Sequence, residues 1–267
     1  MNSIRMITRL GLIVCLLVVS CFMRAEYAQQ PTTATSVEQE FLDAIRKGNS
    51  QKVGELLKQQ PTLIKASTKN GTTPILLAVY ADHLDIAESL LATGIEPNIF
   101  EAAATGRIER VRELLKKDPT LAKAYSPDGW TALHLNWGHL DIVELLLDSG
   151  ADINAVSKNK FVATPLQGSV VRKRIDLARL LIARGAKLSP RGEGGDSPLH
   201  ECAGNGAIEI ARLLLDHGAD INAKDDEGKT VFEIKRSDVE RVVALSSEDG
   251  GTRIELVRVA HGRQEGN

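Results

Sequence analysis

The chain has 267 residues, is 43% hydrophobic and 25% charged, and carries 33 basic against 35 acidic residues, a formal net charge of -2. These are the proportions of an ordinary soluble globular protein, with length for one or two domains. The near balance of charge leaves no basic footprint for nucleic acid and none for a strongly anionic surface.

Read from the N-terminus, Arg5 and Arg9 precede an apolar run from Leu10 to Met23, broken only by Gly11 and Ser20. The run is short for a bilayer span, which needs ~20 apolar residues. A basic start followed by a short apolar core is the pattern of an export signal, so residues 1–28 are expected to be removed. Three ends to that segment stay open. Val18-Val19-Ser20-Cys21 is similar to a bacterial lipobox, which would make Cys21 the lipidated first residue. A signal peptidase could instead cut after Ala28, although Glu26 sits where a small residue is wanted, or the segment could stay as an uncleaved anchor. Cys15 lies inside the signal and Cys21 is either lost or lipidated. Cys202 is then the only thiol left, and no internal disulfide can form.

Residues 29–36 read as a polar linker, and packed structure is expected from Val37. Val37 to Gly48 and Ser50 to Gln59 form a first helix pair, with Phe41, Leu42, Ile45, Val53, Leu56 and Leu57 as its apolar stripe. The polar residues Glu38, Gln39, Lys47, Gln51 and Lys52 suit the outer face of a terminal cap. The stretch Gly54 to Ala66 then returns as Arg112 to Ala124, 58 positions later, which reads as duplication of a two-unit block. Past that point the offset falls to 56, as His83 and His139 show. Two residues are therefore missing between Leu135 and Gly138, and the first helix there should be shortened or distorted. The segment from Asn154 to Thr164 is two positions longer than its counterpart from Asn222 to Thr230, so the loop there should reach further. Val239 to Leu245, capped by Ser237, reads as a last helix, and Ile254 to Ala260 stays unassigned.

A finer phrase repeats inside these blocks. Gly129-Trp130-Thr131-Ala132-Leu133-His134, then Gly138-His139-Leu140-Asp141-Ile142-Val143-Glu144-Leu145-Leu146-Leu147, then Gly150-Ala151-Asp152-Ile153-Asn154-Ala155 return as Ser197 to His200, Ile208 to Leu215 and Gly218 to Ala223. Looser copies run from Gly71 to Asn98 and from Thr164 to Leu188. Thr73-Pro74 and Thr164-Pro165 open first helices, the threonine capping and the proline filling a position whose amide needs no partner. Second helices end at Gly94, Gly150, Gly185 and Gly218. Self-similarity with this pattern at about 33 residues resembles the ankyrin repeat. The resemblance implies an all-α solenoid, a stack of helix pairs with short β-hairpin fingers, over residues 37–245 in about six units, followed by a 246–267 tail. It also implies a binding scaffold whose protein partner docks on the concave side, on finger tips and first-helix surfaces.

On that reading, positions outside the repeat's framework are the candidate contacts. Among the fingers these include Asp128, Trp130 and Glu227, and on first helices Tyr80, Asn136, Trp137, Arg172 and Asn205. Aromatic residues and arginine are favoured anchors because each buries much area. The competing reading is that Trp130 packs over its own finger and Trp137 fills the two-residue gap. His134 and His200 take the repeat's turn-stabilising place and His83 and His139 its second-helix start, so no metal or general-base role is expected of them. Gly228-Lys229-Thr230 lacks the earlier glycine of a phosphate loop, and Arg172-Lys173-Arg174, a basic cluster near Lys158 and Lys160, reads as a solvated face, with a site for an acidic partner as the alternative. No catalytic set, cofactor, metal or nucleic acid is expected. The sequence points to a monomeric, non-enzymatic interaction module, exported to the periplasm or beyond. Membrane association would come only through a lipid on Cys21 or an uncleaved signal. The alternative is a dedicated regulatory or protective subunit of an envelope enzyme.

Overall fold

The computed structural model describes residues 36–136, 138–231, 240–246 and 252–258. The export segment with Cys21, the linker up to residue 35, Trp137 and the tail beyond residue 258 lie outside the described residues. The chain divides into two compact units at Val162 and Ala163.

The first unit holds four helix pairs. They are α1 (Ser36–Arg46) with α2 (Ser50–Gln59), α3 (Pro74–Tyr80) with α4 (Leu84–Leu91), α5 (Ile99–Ala104) with α6 (Ile108–Lys117), and α7 (Ala132–Leu135) with α8 (Leu140–Asp148). No helix here exceeds 11 residues, below the ~12–15 at which an isolated helix becomes even marginally stable. Each is therefore held by its neighbours. First helices stack in the order α1, α3, α5, α7, and α2 packs on α4 and α6 on α8. Of the stripe read from the sequence, Phe41, Leu42, Ile45, Val53 and Leu56 are buried and Leu57 is half-buried, and Leu77, Ile86, Leu90, Val111, Ile142 and Leu146 continue the buried face through the later pairs. Fully burying one such side chain contributes ~1.5–3 kcal/mol, and the stack supplies the burial that no single pair could.

The block duplication is visible as structure. Both α2 and α6 run into a 3-10 turn, Pro61–Lys65 and Pro119–Lys123. In each copy the turn between the paired helices is a left-handed glycine under the next pair's histidine. A Cβ on Gly48 would lie 2.5 Å from the His83 ring, and one on Gly106 2.5 Å from the His139 ring. The missing two residues shorten α7 to four, as the offset predicts. Asn136 closes the gap: its Oδ1 accepts from the Gly138 and His139 amides at 3.1 and 2.9 Å, and its Nδ2 donates to the His139 carbonyl at 3.0 Å.

The second unit holds α9 (Pro165–Val171) with α10 (Ile175–Ala183) and α11 (Pro198–Asn205) with α12 (Ile208–Asp216). Here α9 stacks on α11 and α10 on α12 around Leu166, Val170, Leu181, Cys202, Ile210 and Leu214. Thr164 caps α9 as a reciprocal box: its Oγ1 accepts from the Gln167 amide, and the Gln167 side chain accepts from the Thr164 amide at 3.0 Å.

Two expectations change. The helix expected over Val239 to Leu245 is a strand, β1 (Glu240–Ser246), paired antiparallel with β2 (Thr252–Arg258) in the register Val243 to Glu255. A short apolar run fits either period. Val242 and Val243 favour the strand, and a second run of β-formers close in sequence offers a hydrogen-bond ladder. The fingers, expected as β-hairpins, are mostly tight turns. Only one isolated bridge forms among the described residues, Tyr125 to Thr131. The turns are closed instead by pairs such as the Gly71 amide to the Thr68 carbonyl (2.8 Å) and the Gly129 amide to the Ser126 carbonyl (2.9 Å).

Candidate functional site

The finger of residues 124–131 is the best-defined candidate surface, and the structure builds most of it inward. The Asp128 carboxylate accepts from Tyr80 Oη at 2.9 Å, from Thr72 Oγ1 at 3.2 Å and from Ser126 Oγ. Asp128 is only 6% exposed. It ties one finger to the preceding finger and to the end of α3. Trp130 is also 6% exposed. Its indole stacks on Phe161, with centroids 5.7 Å apart and planes at 21°, and tilts against His134 at 5.4 Å. Trp130 is therefore packed, but against a ring of the following, longer loop and not over its own finger alone.

Five of the eight contact candidates are thereby corrected to interior positions. Tyr80, Asp128, Trp130, Asn136 and Asn205 are all buried. The physical reason is the same for each polar one: the side chain satisfies backbone or side-chain groups that stacking removes from water. Asn205 Nδ2 donates to the Val170 carbonyl at 3.0 Å, and its Oδ1 accepts from the Ala207 amide, so it joins two helix pairs. Arg172 is half-buried at the end of α9 and Glu227 is exposed, its carboxylate on Lys229 Nζ. Trp137 lies outside the described residues. The histidines act as the repeat implies. His134 Nδ1 meets Thr131 Oγ1 and His200 Nδ1 meets Ser197 Oγ, both at 2.7 Å.

Sequence reasoning missed the buried carboxyl group of Glu101 and the half-buried one of Glu201, and read Asp196, also half-buried, only as a finger-tip position. Glu101 accepts from Thr73 Oγ1 at 2.6 Å and from the Asn98 amide at 2.9 Å, where α5 is entered without a finger. Burial raises its pKa, opposed by those two donors. Glu201 is pushed well above the usual carboxylate range by burial and then by Asp196, against one hydrogen bond from Gln167 Nε2 at 3.2 Å. Asp196 is pushed up to about 6, chiefly by burial, with Asp225, Asp226 and Glu227 adding and His200 opposing. The signal available was Thr73–Glu101 and Gln167–Glu201, but neither pair is close in sequence. Cys202 is buried and its thiol raised by burial and by Glu201, which makes it a poor nucleophile.

An open groove of about 700 Å³ runs beside α4 and α6 over Leu91, Ile95, Pro97 and Ile108. Arg110 crosses its rim, bonded to Glu96 at 2.9 Å, Glu113 at 2.8 Å and the Pro97 carbonyl at 3.1 Å. These ionic groups satisfy each other and converge on no common point. Among the described residues, no three His, Cys, Asp or Glu side chains could hold a metal ion.

The models of the ankyrin repeat match residues 70–101 and 128–158, and a three-copy ankyrin model matches 156–225. The chain belongs to the ankyrin repeat family. An array of this kind is a protein–protein interaction module. Similar proteins include Ankyrin repeat and SAM domain-containing protein 6 of Rattus norvegicus, 28% identical over 53% of this chain and 14% of that protein. The B-cell lymphoma 3 protein homolog of Mus musculus is 29% identical over 51% of this chain and 33% of its own length. NF-kappa-B inhibitor alpha of Homo sapiens is 36% identical over 31% of each. The chain spans at most about a third of these relatives.

Proposed function

We propose that this ankyrin array is a non-enzymatic module that binds one partner protein on its fingers and first-helix surfaces. The observation that carries the reading is the use of its polar groups. Carboxyl groups with perturbed surroundings are used within the stack: Glu101 is held by Thr73 and Glu201 by Gln167, and Asp196 lies close enough to Glu201 to raise its pKa. A pre-formed surface of this kind binds with little ordering entropy. The half-buried Arg172 and the exposed Glu227 remain contact positions on this reading.

The module works as a monomer in the cell envelope, delivered by residues 1–28, with Cys21 as the lipidated residue where the lipobox is used. Among the described residues no helix is long and apolar enough to cross a membrane. The narrower reading is a regulatory subunit. The one observation favouring it is the likeness to a protein named as an inhibitor.

The test is in-cell cross-linking of the full chain, with fractionation and lipid labelling of wild type and Cys21→Ala. One dominant cross-linked protein in the envelope fraction is expected. Recovery in the cytosol would sink the location. Turnover of a small molecule by the purified chain would sink the non-enzymatic reading.

A further inference from the structure

Exposure alternates along the longer finger. Val156, Lys158, Lys160 and Val162 are exposed, whereas Ala155 and Ser157 are buried and Asn159 and Phe161 half-buried. Among the described residues only four large apolar side chains are exposed, and two of them, Val156 at 43% and Val162 at 41%, are here. No acidic residue occurs from Ile153 to Ala163. Among the described residues, Lys158 is held by the face of the Tyr125 ring, 4.1 Å from its centroid, and by no carboxylate. Lys160 Nζ lies 5.3 Å over Phe161.

The finger is rigidly supported from beneath. The Lys158 amide donates to the Gly129 carbonyl at 2.8 Å, Asn159 Nδ2 to the Asp128 carbonyl at 3.0 Å, and Tyr125 Oη to the Val156 carbonyl at 3.0 Å. Phe161 stacks on Trp130. Gly129 is required for this approach, since a Cβ there would meet the Lys158 backbone at 2.8 Å. Within that support Val162 has φ +47°, a conformation a β-branched residue rarely adopts. The fold thus keeps an apolar side chain in water and in strain at a loop tip, against stability on both counts.

We propose that this finger is the docking surface for the partner, and that the partner presents an acidic segment with aliphatic side chains. The lysines supply the complementary charge and the two valines the apolar contact. The proposal rests on the reading of the chain as a binding module and names the chemistry of its partner.

The test selects random peptides from a displayed library on the full chain. The selected sequences are then made synthetically and titrated by fluorescence anisotropy. Enriched peptides should combine Asp or Glu with Leu, Ile or Val, and bind more weakly as salt rises. Lys158→Glu with Lys160→Glu should weaken them by about tenfold or more with no change in melting temperature. Val162→Gly should weaken them while raising the melting temperature, a combination that general destabilisation cannot produce. Peptides without acidic residues, or equal binding to wild type and the lysine variant, overturn the surface and leave the binding module standing. Failure to enrich any sequence over an unrelated ankyrin scaffold overturns both.

Discussion

Replacing Asp128 by alanine tests the claim that it belongs to the framework and not to a partner's footprint. Its carboxylate receives Tyr80 Oη at 2.9 Å, and Tyr80 is 3% exposed. A hydrogen bond to a charged acceptor contributes ~1.5–3 kcal/mol, and a buried donor left unpaired loses a similar amount. The other two donors count for less. Thr72 Oγ1 also reaches Asn70 Oδ1 at 3.2 Å, and Ser126 Oγ reaches the Trp130 carbonyl at 3.0 Å, so each single proton has a second acceptor. The expected loss for Asp128→Ala is therefore about 3 kcal/mol rather than three full bonds. Tyr80→Phe should lose about 1.5 kcal/mol, and the two variants should show a coupling of about 1 kcal/mol in a double-mutant cycle. Urea unfolding followed by far-UV circular dichroism and tryptophan fluorescence measures all three, with an unchanged denaturant slope as the condition for comparison. A loss below about 1 kcal/mol for Asp128→Ala, or strict additivity with Tyr80→Phe, would refute the hub.

Three further outcomes follow from the same geometry. The turns between paired helices are left-handed at Gly48, Gly106 and Gly206, but also at Asp82 (φ +64°) and Lys173 (φ +53°). Asp82→Gly and Lys173→Gly should each stabilise by about 0.5–1 kcal/mol, read as a higher denaturation midpoint. Gly106→Ala should do the reverse by about 2 kcal/mol or more, because the new Cβ meets the His139 ring as well as the left-handed backbone; an unaltered midpoint would contradict the contact. For pH, Asp196 has a folded pKa of about 6 against a usual 3.8. The folded state then holds the proton more tightly than the unfolded chain. The part of stability due to Asp196 should rise as pH falls from 7 through 6 and level off near 4. Discounted for its partial exposure, the gain is about 1 kcal/mol. Asp196→Asn should flatten that rise; a wild-type and variant difference independent of pH would overturn the assignment.

Much of the architecture was legible because repetition makes local patterns corroborate one another. The stripe through Phe41 to Leu57 placed α1 and α2, and the 58-residue echo marked the second half of α6 and the turn after it, while α5 was not read from the sequence. The drop in offset foretold the four-residue α7, and the two extra positions foretold the longer finger. The Thr131–His134 and Ser197–His200 hydrogen bonds lie three residues apart, within reach of local reasoning. Beyond residue 231 the repeat fades. There a run as short as Val239 to Leu245 could not choose between periods, and its partner strand decided it.

The sequence by itself determined helix pairs, their order and their ankyrin identity, because spacing and turn chemistry act over a few residues. Which of the non-framework residues face inward was settled by tertiary structure alone. Tyr80 meets Asp128 across 48 residues, and Asn205 meets Val170 across 35. Such groups are buried by stacking that no local window contains, and burial obliges them to find partners there. The same stacking left Val156 and Val162 outside.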